Sequence, residues 1–567
     1  MHIENVPNRG SRPTILVRES YREGPKVRKR TLANITHLPP EQVDVLRRSL
    51  RGEKLVPAHE ALAIERSLPH GHVKAVLGTI RRIGLDRIIA SRRCRERDLV
   101  VAMVAQRLIH ASSKLASTRL WETTTLAGQM GVEDAEADDL YGAMDWLLER
   151  QERIEARLAG LHLAEGGQVL YDVTSSYYEG HTCPLAQFGH DRDGKGSLPI
   201  IVYGVLADRE GRPVAVQVYE GNTGDPSTVP DQVQKLTGRF GLRRVVLVGD
   251  RGMLTETQIK ALREHPELGW IWALRSGSIR QLVERGDIQT SLFDQRNLAE
   301  IGSDAFHGER LIACFNPILA DQRARKRQDL LAATEKELQR IQRAVARRTR
   351  TPLGKDQIGL RVGAVLGKHR MGKHFELRIQ DGAFEWTRDE ESIQREAALD
   401  GIYVIRTSEA EDDLSAADVV RSYKALGRVE AAFRCMKGID ILVRPIYHRI
   451  EPRVRAHVFL CMLAYYVEWH MRRALAPMLF EDQEPEDHRE HRDPVARAEP
   501  PEELVRKKRT LQSEDGQAVH SFETLLEELG TLCRNRCRMG SEDEGVTFEL
   551  ETRPTALQAK AMSLLGL

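Results

Sequence analysis

A chain of 567 residues is too long for one ordinary domain, and length alone suggests three or four units. With 41% hydrophobic and 30% charged residues the composition is globular, and a net charge of only +2 excludes a polycation that binds by bulk charge. Seven scattered cysteines exclude a disulfide scaffold, and no apolar run reaches the roughly 18 residues of a membrane span, so a soluble, cytoplasmic protein with no membrane partner is expected.

The charge is nevertheless clustered. The first 36 residues carry eight basic against three acidic side chains. Within them TILVRESYREGPKVRKRTLANI alternates on either side of Gly24-Pro25, the pattern of a β-hairpin, so residues 1–38 read as a basic hairpin arm. Apolar residues then recur three and four apart through HVKAVLGTIRRIGLDRIIA and RDLVVAMVAQRLIHA, marking residues 39–165 as helical. TTTLAGQMGVEDAEADDLYGAMDWLLERQERIEARL reads as helix, short turn and helix; a DNA-reading helix pair and plain packing both fit it.

At residue 166 the period changes. GGQVLYDV, LPIIVYGVLAD and PVAVQVYEGN are strand-like, followed by a helix at PSTVPDQVQKLTGRFG, the strand RRVVLVGD, the helix LTETQIKALREH and the strand WIWALRS. This β-β-β-α-β-α-β succession over 166–276 predicts an α/β fold, a mixed sheet flanked by helices, because a strand apolar on both faces must be buried on both. Residues 277–400 read as an insertion, with strand-like pieces at RVGAVLGKH and KHFELRI. Its segment 321–350 holds ten basic against four acidic residues, including Arg323, Arg325, Lys326, Arg327, Arg347 and Arg348, and suits a polyanion or a solvated helix face. GIYVIRTS resumes the sheet, and LSAADVVRSYKALGRVEAAFRCMKG and RVRAHVFLCMLAYYVEWHMRRAL are long helices completing 401–478. Residues 479–567 read as a charged linker and tail; Cys533 and Cys537 in CRNRC lack a second pair at zinc spacing.

Two strands of the core end in an acid, Asp172 in VLYDV and Asp250 in VVLVGD, with Gly249 and Gly252 leaving room for backbone approach. If the strands are neighbours, the carboxylates meet at one sheet edge, where α/β sheets carry their sites. Like charges so close need a cation, and Mg²⁺, taking hard oxygen ligands, is the natural one. Two such ions assist phosphodiester cleavage, which calls for a third acid. Tyr423, Glu430 and Lys437 are spaced by seven, so at ~100° per residue they share one helix face; an exposed salt-bridge stripe is the plain alternative.

The blocks YDVTSSYYEG, FGHDRDGKGSLPIIVYGVLADREGRPVAVQVYEGNTGD with VVLVGDRGM, and YKALGRVEAAFRCMKGIDILVRPIYHR resemble DDE-type transposases of bacterial insertion sequences. The resemblance is to the insertion-sequence-four group, marked by a Tyr–Arg–Glu–Lys signature, and spans about 170–460. It implies an RNase H-like core with an insertion before the last acid, a mainly helical N-terminal domain, and Asp172, Asp250 and Glu430 as catalytic and metal-binding triad. It also implies two Mg²⁺ ions with Mn²⁺ as a substitute, cleavage and strand transfer on double-stranded DNA at terminal repeats and target, and a homodimer on DNA. Tyr423 and Lys437 fall at the signature spacing and are DNA contacts by this resemblance, but Leu426 stands where the signature has arginine. Arg428 points away on a helix, while Arg434 lies near the functional face. In relatives an aromatic of the insertion holds a flipped base; Trp270, Trp272 and Trp386 are the candidates, and His190 is a candidate phosphate contact or loop-ordering residue. A phosphatase of the haloacid-dehalogenase type would need an acid at Thr174. An inactive or domesticated DNA-binding relative is the alternative that Leu426 keeps open.

Overall fold

The computed structural model describes residues 1–53, 62–265, 267–293, 296–490, 492–496, 499–539 and 545–567. The chain divides into two units, Met1–Pro69 with Leu532–Arg553, and His70–Thr531 with Pro554–Leu567. In the first, strands β1 (His2–Asn8), β2 (Ser11–Glu23) and β3 (Lys26–Asn34) form an antiparallel sheet, with the expected turn at Gly24-Pro25. Glu4 of β1 accepts from Arg18 and Lys29 of the other two strands, an ion pairing added to the backbone ladders that join them. Strand β4 (Leu62–Pro69) pairs with Cys533–Met539, which in turn pairs with Val546–Glu551. Part of the expected C-terminal linker and tail is therefore sheet: its pairing partner lies near the other end of the chain.

The second unit is built on an eight-stranded mixed sheet. Strands β5 (Gln168–Tyr177), β6 (Ile200–Asp208), β7 (Pro213–Glu220), β8 (Val245–Gly249) and β9 (Leu268–Ala273) occur in the expected succession, with helices Val229–Gln234 and Glu256–Arg263 between them. Every residue of β6 and β8 is buried, as strands apolar on both faces require. Strands β10 (Leu298–Ile301) and β11 (Arg310–Phe315) come from the expected insertion yet extend this same sheet. Helix Ser276–Arg285 packs its Ile279 and Leu282 with Leu311 and Val404 of that sheet, while the later part of the insertion packs around its own core of Leu331, Leu338, Ile358, Val362, Phe375 and Phe384. This later part comprises helices Pro317–Ala346 and Lys355–His369, the hairpin of β12 (Phe375–Gln380) and β13 (Ala383–Arg388), and helix Glu390–Ala397. RVGAVLGKH is thus helical, not a strand: Ile358 and Val362 continue into it at helical spacing. Strand β14 (Ile402–Thr407) re-enters the sheet, giving the order β10-β11-β14-β9-β8-β5-β6-β7.

Helix Glu451–Leu475 is apolar on nearly every side through its middle and is buried accordingly, without a break from Ala456 to Glu468. Helix Ala137–Leu148, half of the candidate DNA-reading pair, packs its Leu140, Met144 and Leu147 face toward this long helix and helix Arg95–Ile109. Beyond it the supposed linker holds helix Glu502–Thr510, whose Lys507 is wholly buried and donates to the Ala476 carbonyl at 3.0 Å. Among the described residues no helix is long and apolar enough to cross a membrane.

Candidate active site

Strands β5 and β8 are parallel neighbours with Tyr171 opposite Gly249, so the next residue of each, Asp172 and Asp250, emerges at the same sheet edge. Gly249 is demanded by packing: a Cβ there would lie 2.5 Å from Nε1 of buried Trp272, its partner on β9. The glycine thus makes room for an indole, not for an approaching ligand. Gly252, two residues past Asp250, has φ +92°, the left-handed conformation that glycine tolerates best, and its carbonyl accepts from Arg275 at 2.7 Å.

The third acid arrives on a segment whose sequence pattern predicts a single long helix. Ser415 caps it, accepting from the Asp418 amide, but it breaks into Ala416–Lys424 and Gly427–Lys437. Tight bonds from the Leu426 amide to Tyr423 and from the Arg428 amide to Ala425 mark the break, beside Gly427, a weak helix former. Tyr423 therefore belongs to the preceding helix and does not share a stripe with Glu430. It still reaches the site, its hydroxyl donating to Asp250 Oδ1 at 3.1 Å. In the second helix Val429, Ala432, Phe433 and Met436 are buried, which turns Glu430 and Arg434 outward. Leu426 is buried, and Arg428 lies beside the β6–β7 turn at Gly211, away from the acids.

Asp172, Asp250 and Glu430 line one open cleft of about 660 Å³, together with Arg434 and Lys437. Burial, with the charges of Asp250 and Glu430, pushes the Asp172 carboxyl up to about 7, although the Val173 amide bonds it at 2.7 Å. Burial and the Asp250 carboxylate likewise raise the Tyr423 hydroxyl. Three hard oxygen donors repelling one another in a cleft form a set that a divalent cation would satisfy. Their oxygens are not all drawn together: among the described residues, the one trio with donor atoms all within 4.8 Å is Cys435, Asp440 and Glu468. That trio already has a cation, since Arg472 bonds Glu468 at 2.5 Å and lies 3.6 Å from Asp440.

The cleft also holds residues to which the sequence alone assigns no role. Arg192 grips Asp225 with bonds of 2.6 and 2.7 Å, and Asp193 takes Lys437 at 3.0 Å and Arg444. Asp193 and Arg192 sit in the GHDRDGKG block, where only His190, which also lines the cleft, stood out. Arg251 lines both this cleft and a smaller cavity of about 220 Å³ shared with Arg280, Arg323 and Lys373.

The basic helix divides by face. Arg327 is buried and bonds Asp400 at 3.0 Å, so it anchors the helix and is corrected from the DNA-facing set. Its phase gives the reason: Leu331, Thr334 and Leu338 continue the buried stripe. Lys326, Arg347 and Arg348 are exposed, Arg325 pairs with Asp321 at 2.7 Å, and Arg323 donates to the Leu399 carbonyl. Trp270 and Trp272 are core, while Trp386 is half-buried edge-on to Phe375.

Residues 168–467, more than half of the chain, match the family model described as transposase DDE domain, and residues 2–58 match that described as IS1634 family transposase, N-terminal domain. No curated protein matches the chain. With that span matched, and acids from two neighbouring strands lining one cleft with a helix-borne third, the chain belongs to the DDE transposases, and its first residues are similar to the N-terminal domain of IS1634 family transposases.

Proposed function

We propose that this transposase binds the two ends of an insertion sequence and cuts and joins DNA at one site, within an RNase H-like core of the Tyr–Arg–Glu–Lys signature group. The in-register parallel pairing of β5 and β8, with Asp172 and Asp250 next after the paired residues in the cleft that also takes Glu430, is the observation that carries this reading. These three acids are the metal ligands in it, and their oxygen donors fit two Mg²⁺ ions, with Mn²⁺ as a substitute. Bound there, the ions would activate an attacking oxygen and stabilise the departing one.

Tyr423 orients Asp250 through its hydroxyl, and Arg434 and Lys437 meet the phosphates beside the cut. Cleavage at the element's terminus leaves a 3′ hydroxyl. That oxygen then attacks a target phosphodiester, one P–O bond forming in line as another breaks. The exposed cations Arg325, Lys326, Arg347 and Arg348, with the half-buried Arg323 and the basic arm of residues 1–38, hold duplex backbone without reading sequence. Recognition of the ends belongs to residues 39–165, and a homodimer holds both ends together.

One observation favours a second reading, a catalytically silent DNA-binding relative: Leu426 occupies the signature arginine position and is buried. A supercoiled plasmid bearing the element's ends, incubated with the protein and Mg²⁺ or Mn²⁺, separates the two. Nicks at the ends support the enzyme; binding without nicks supports the silent relative.

A further inference from the structure

The missing signature arginine leaves a question of chemistry: which guanidinium, if any, touches the strand being cut. Resting on the proposed function, the answer lies in the loop after helix Gly427–Lys437. Arg444 lines the same cleft as the three acids. Its Nη1 bonds Asp193, its Nε donates to the Lys437 carbonyl at 3.3 Å, and its guanidinium lies 5.8 Å from the centre of the Tyr177 ring. Two of its three nitrogens are thereby fixed. Nη2 carries no hydrogen bond among the described residues, and the side chain keeps 29% of its surface open.

Asp193 is the brace. Its side chain is only 2% exposed, and it accepts from Arg444, from Lys437 Nζ at 3.0 Å and from the Tyr177 amide at 3.2 Å. Burial alone would raise this carboxyl, yet the bonds from Arg444 and Lys437 hold it below the ordinary range. Lys437 Nζ also donates to the Ser175 carbonyl on β5, the strand that carries Asp172. One buried carboxylate therefore ties two cations to the strand of the first acid and leaves one net positive charge facing the cleft. A guanidinium clamped at two nitrogens presents its third in a fixed direction, which is how planar recognition of a phosphate is pre-organised.

We propose that Arg444 contacts a DNA phosphodiester beside the cut, supplying the guanidinium that residue 426 does not, and that Asp193 is the positioning residue for both Arg444 and Lys437. The probe is a set of duplexes bearing the element's ends, each with a single uncharged methylphosphonate at one phosphate near the cut. Neutralising the phosphate that Arg444 meets should lower wild-type kcat/KM by about 10- to 100-fold, the worth of one charge-assisted hydrogen bond. Arg444→Met should lose a similar factor on native DNA, become indifferent to that one methylphosphonate, respond to the others as wild type does, and bind with a salt slope smaller by about 1. Arg444→Lys should keep the salt slope and recover part of the rate, and it carries the comparison if the methionine variant fails to fold. Asp193→Asn should show the same position-specific loss, partly restored by Asp193→Glu, at a Tm measured in parallel. An Arg444→Met variant of wild-type Tm that keeps the full wild-type response to every methylphosphonate overturns the assignment. If wild type binds but never cuts, cleavage in the proposed function fails, while the same interference pattern read by binding still decides Arg444.

Discussion

Gly249→Ala probes how the sheet sets the position of Asp250. Gly249 is absent from the positive-φ positions, so its backbone accepts alanine and only sterics matter. The new Cβ would lie 2.5 Å from Trp272 Nε1 and 2.7 and 2.8 Å from Cε2 and Cζ2. A relaxed contact needs about 3.5–4.0 Å, so something must give by about 1 Å. Trp272 is 1% exposed and cannot swing clear, which leaves the strand end, and with it Asp250, to move. Overpacking of this kind costs about 1–3 kcal/mol, and a displacement of about 1 Å at a reacting group costs about 100-fold in rate. The assay is cleavage of end-bearing DNA in Mg²⁺, with thermal unfolding alongside. Trp272→Leu added to Gly249→Ala should recover part of the rate even though the cavity lowers Tm, a coupling that a double-mutant cycle measures. A Gly249→Ala protein with wild-type Tm and cleavage would refute the reasoning.

Tyr423→Phe removes the 3.1 Å bond to Asp250 and should slow cleavage by about 10-fold with the fold intact; an unchanged rate in single-turnover cleavage would remove the orienting role. Lys114 is buried, and burial with the Arg107 guanidinium pushes its ammonium down to about 7. Because the unfolded chain keeps that proton to higher pH, this residue's contribution to stability should rise between about pH 7 and 10. Lys114→Met should raise Tm most at the low end of that window and flatten the slope, as thermal unfolding across pH reads. Duplex binding should weaken steeply from 50 to 200 mM salt, and Arg347→Ala and Arg348→Ala should each reduce the slope by about 1 in titrations across that range.

Much of the core was legible because its signals are local. Two apolar runs reaching Asp172 and Asp250 announced buried strands, and the parallel pairing of β5 and β8 sets the two acids side by side; Asp250 does follow its strand, but β5 runs on past Asp172 to Tyr177 because VTSSY continues to pair with β6. The break at Leu426 was less legible, since no proline marks it and only Gly427 weakens the helix. RVGAVLGKH misled because a short apolar run is ambiguous until its helical neighbours are counted with it. Arg327 was within reach: its spacing from Leu331 and Leu338 puts it on the inner face. Asp193 and Arg444 were not, because a loop carboxylate gains meaning only from cations more than 240 residues further along the chain. Nor could any local pattern foretell that residues near the two ends of the chain would share a sheet.

The central claim, that residues 172, 250 and 430 jointly hold divalent cations, is tested most directly by counting Mn²⁺ bound to the protein–DNA complex by electron paramagnetic resonance. The wild-type complex should hold two ions at the site, and Asp172→Asn, Asp250→Asn and Glu430→Gln should each lose at least one while still binding DNA. Unchanged Mn²⁺ occupancy in all three variants would contradict the account.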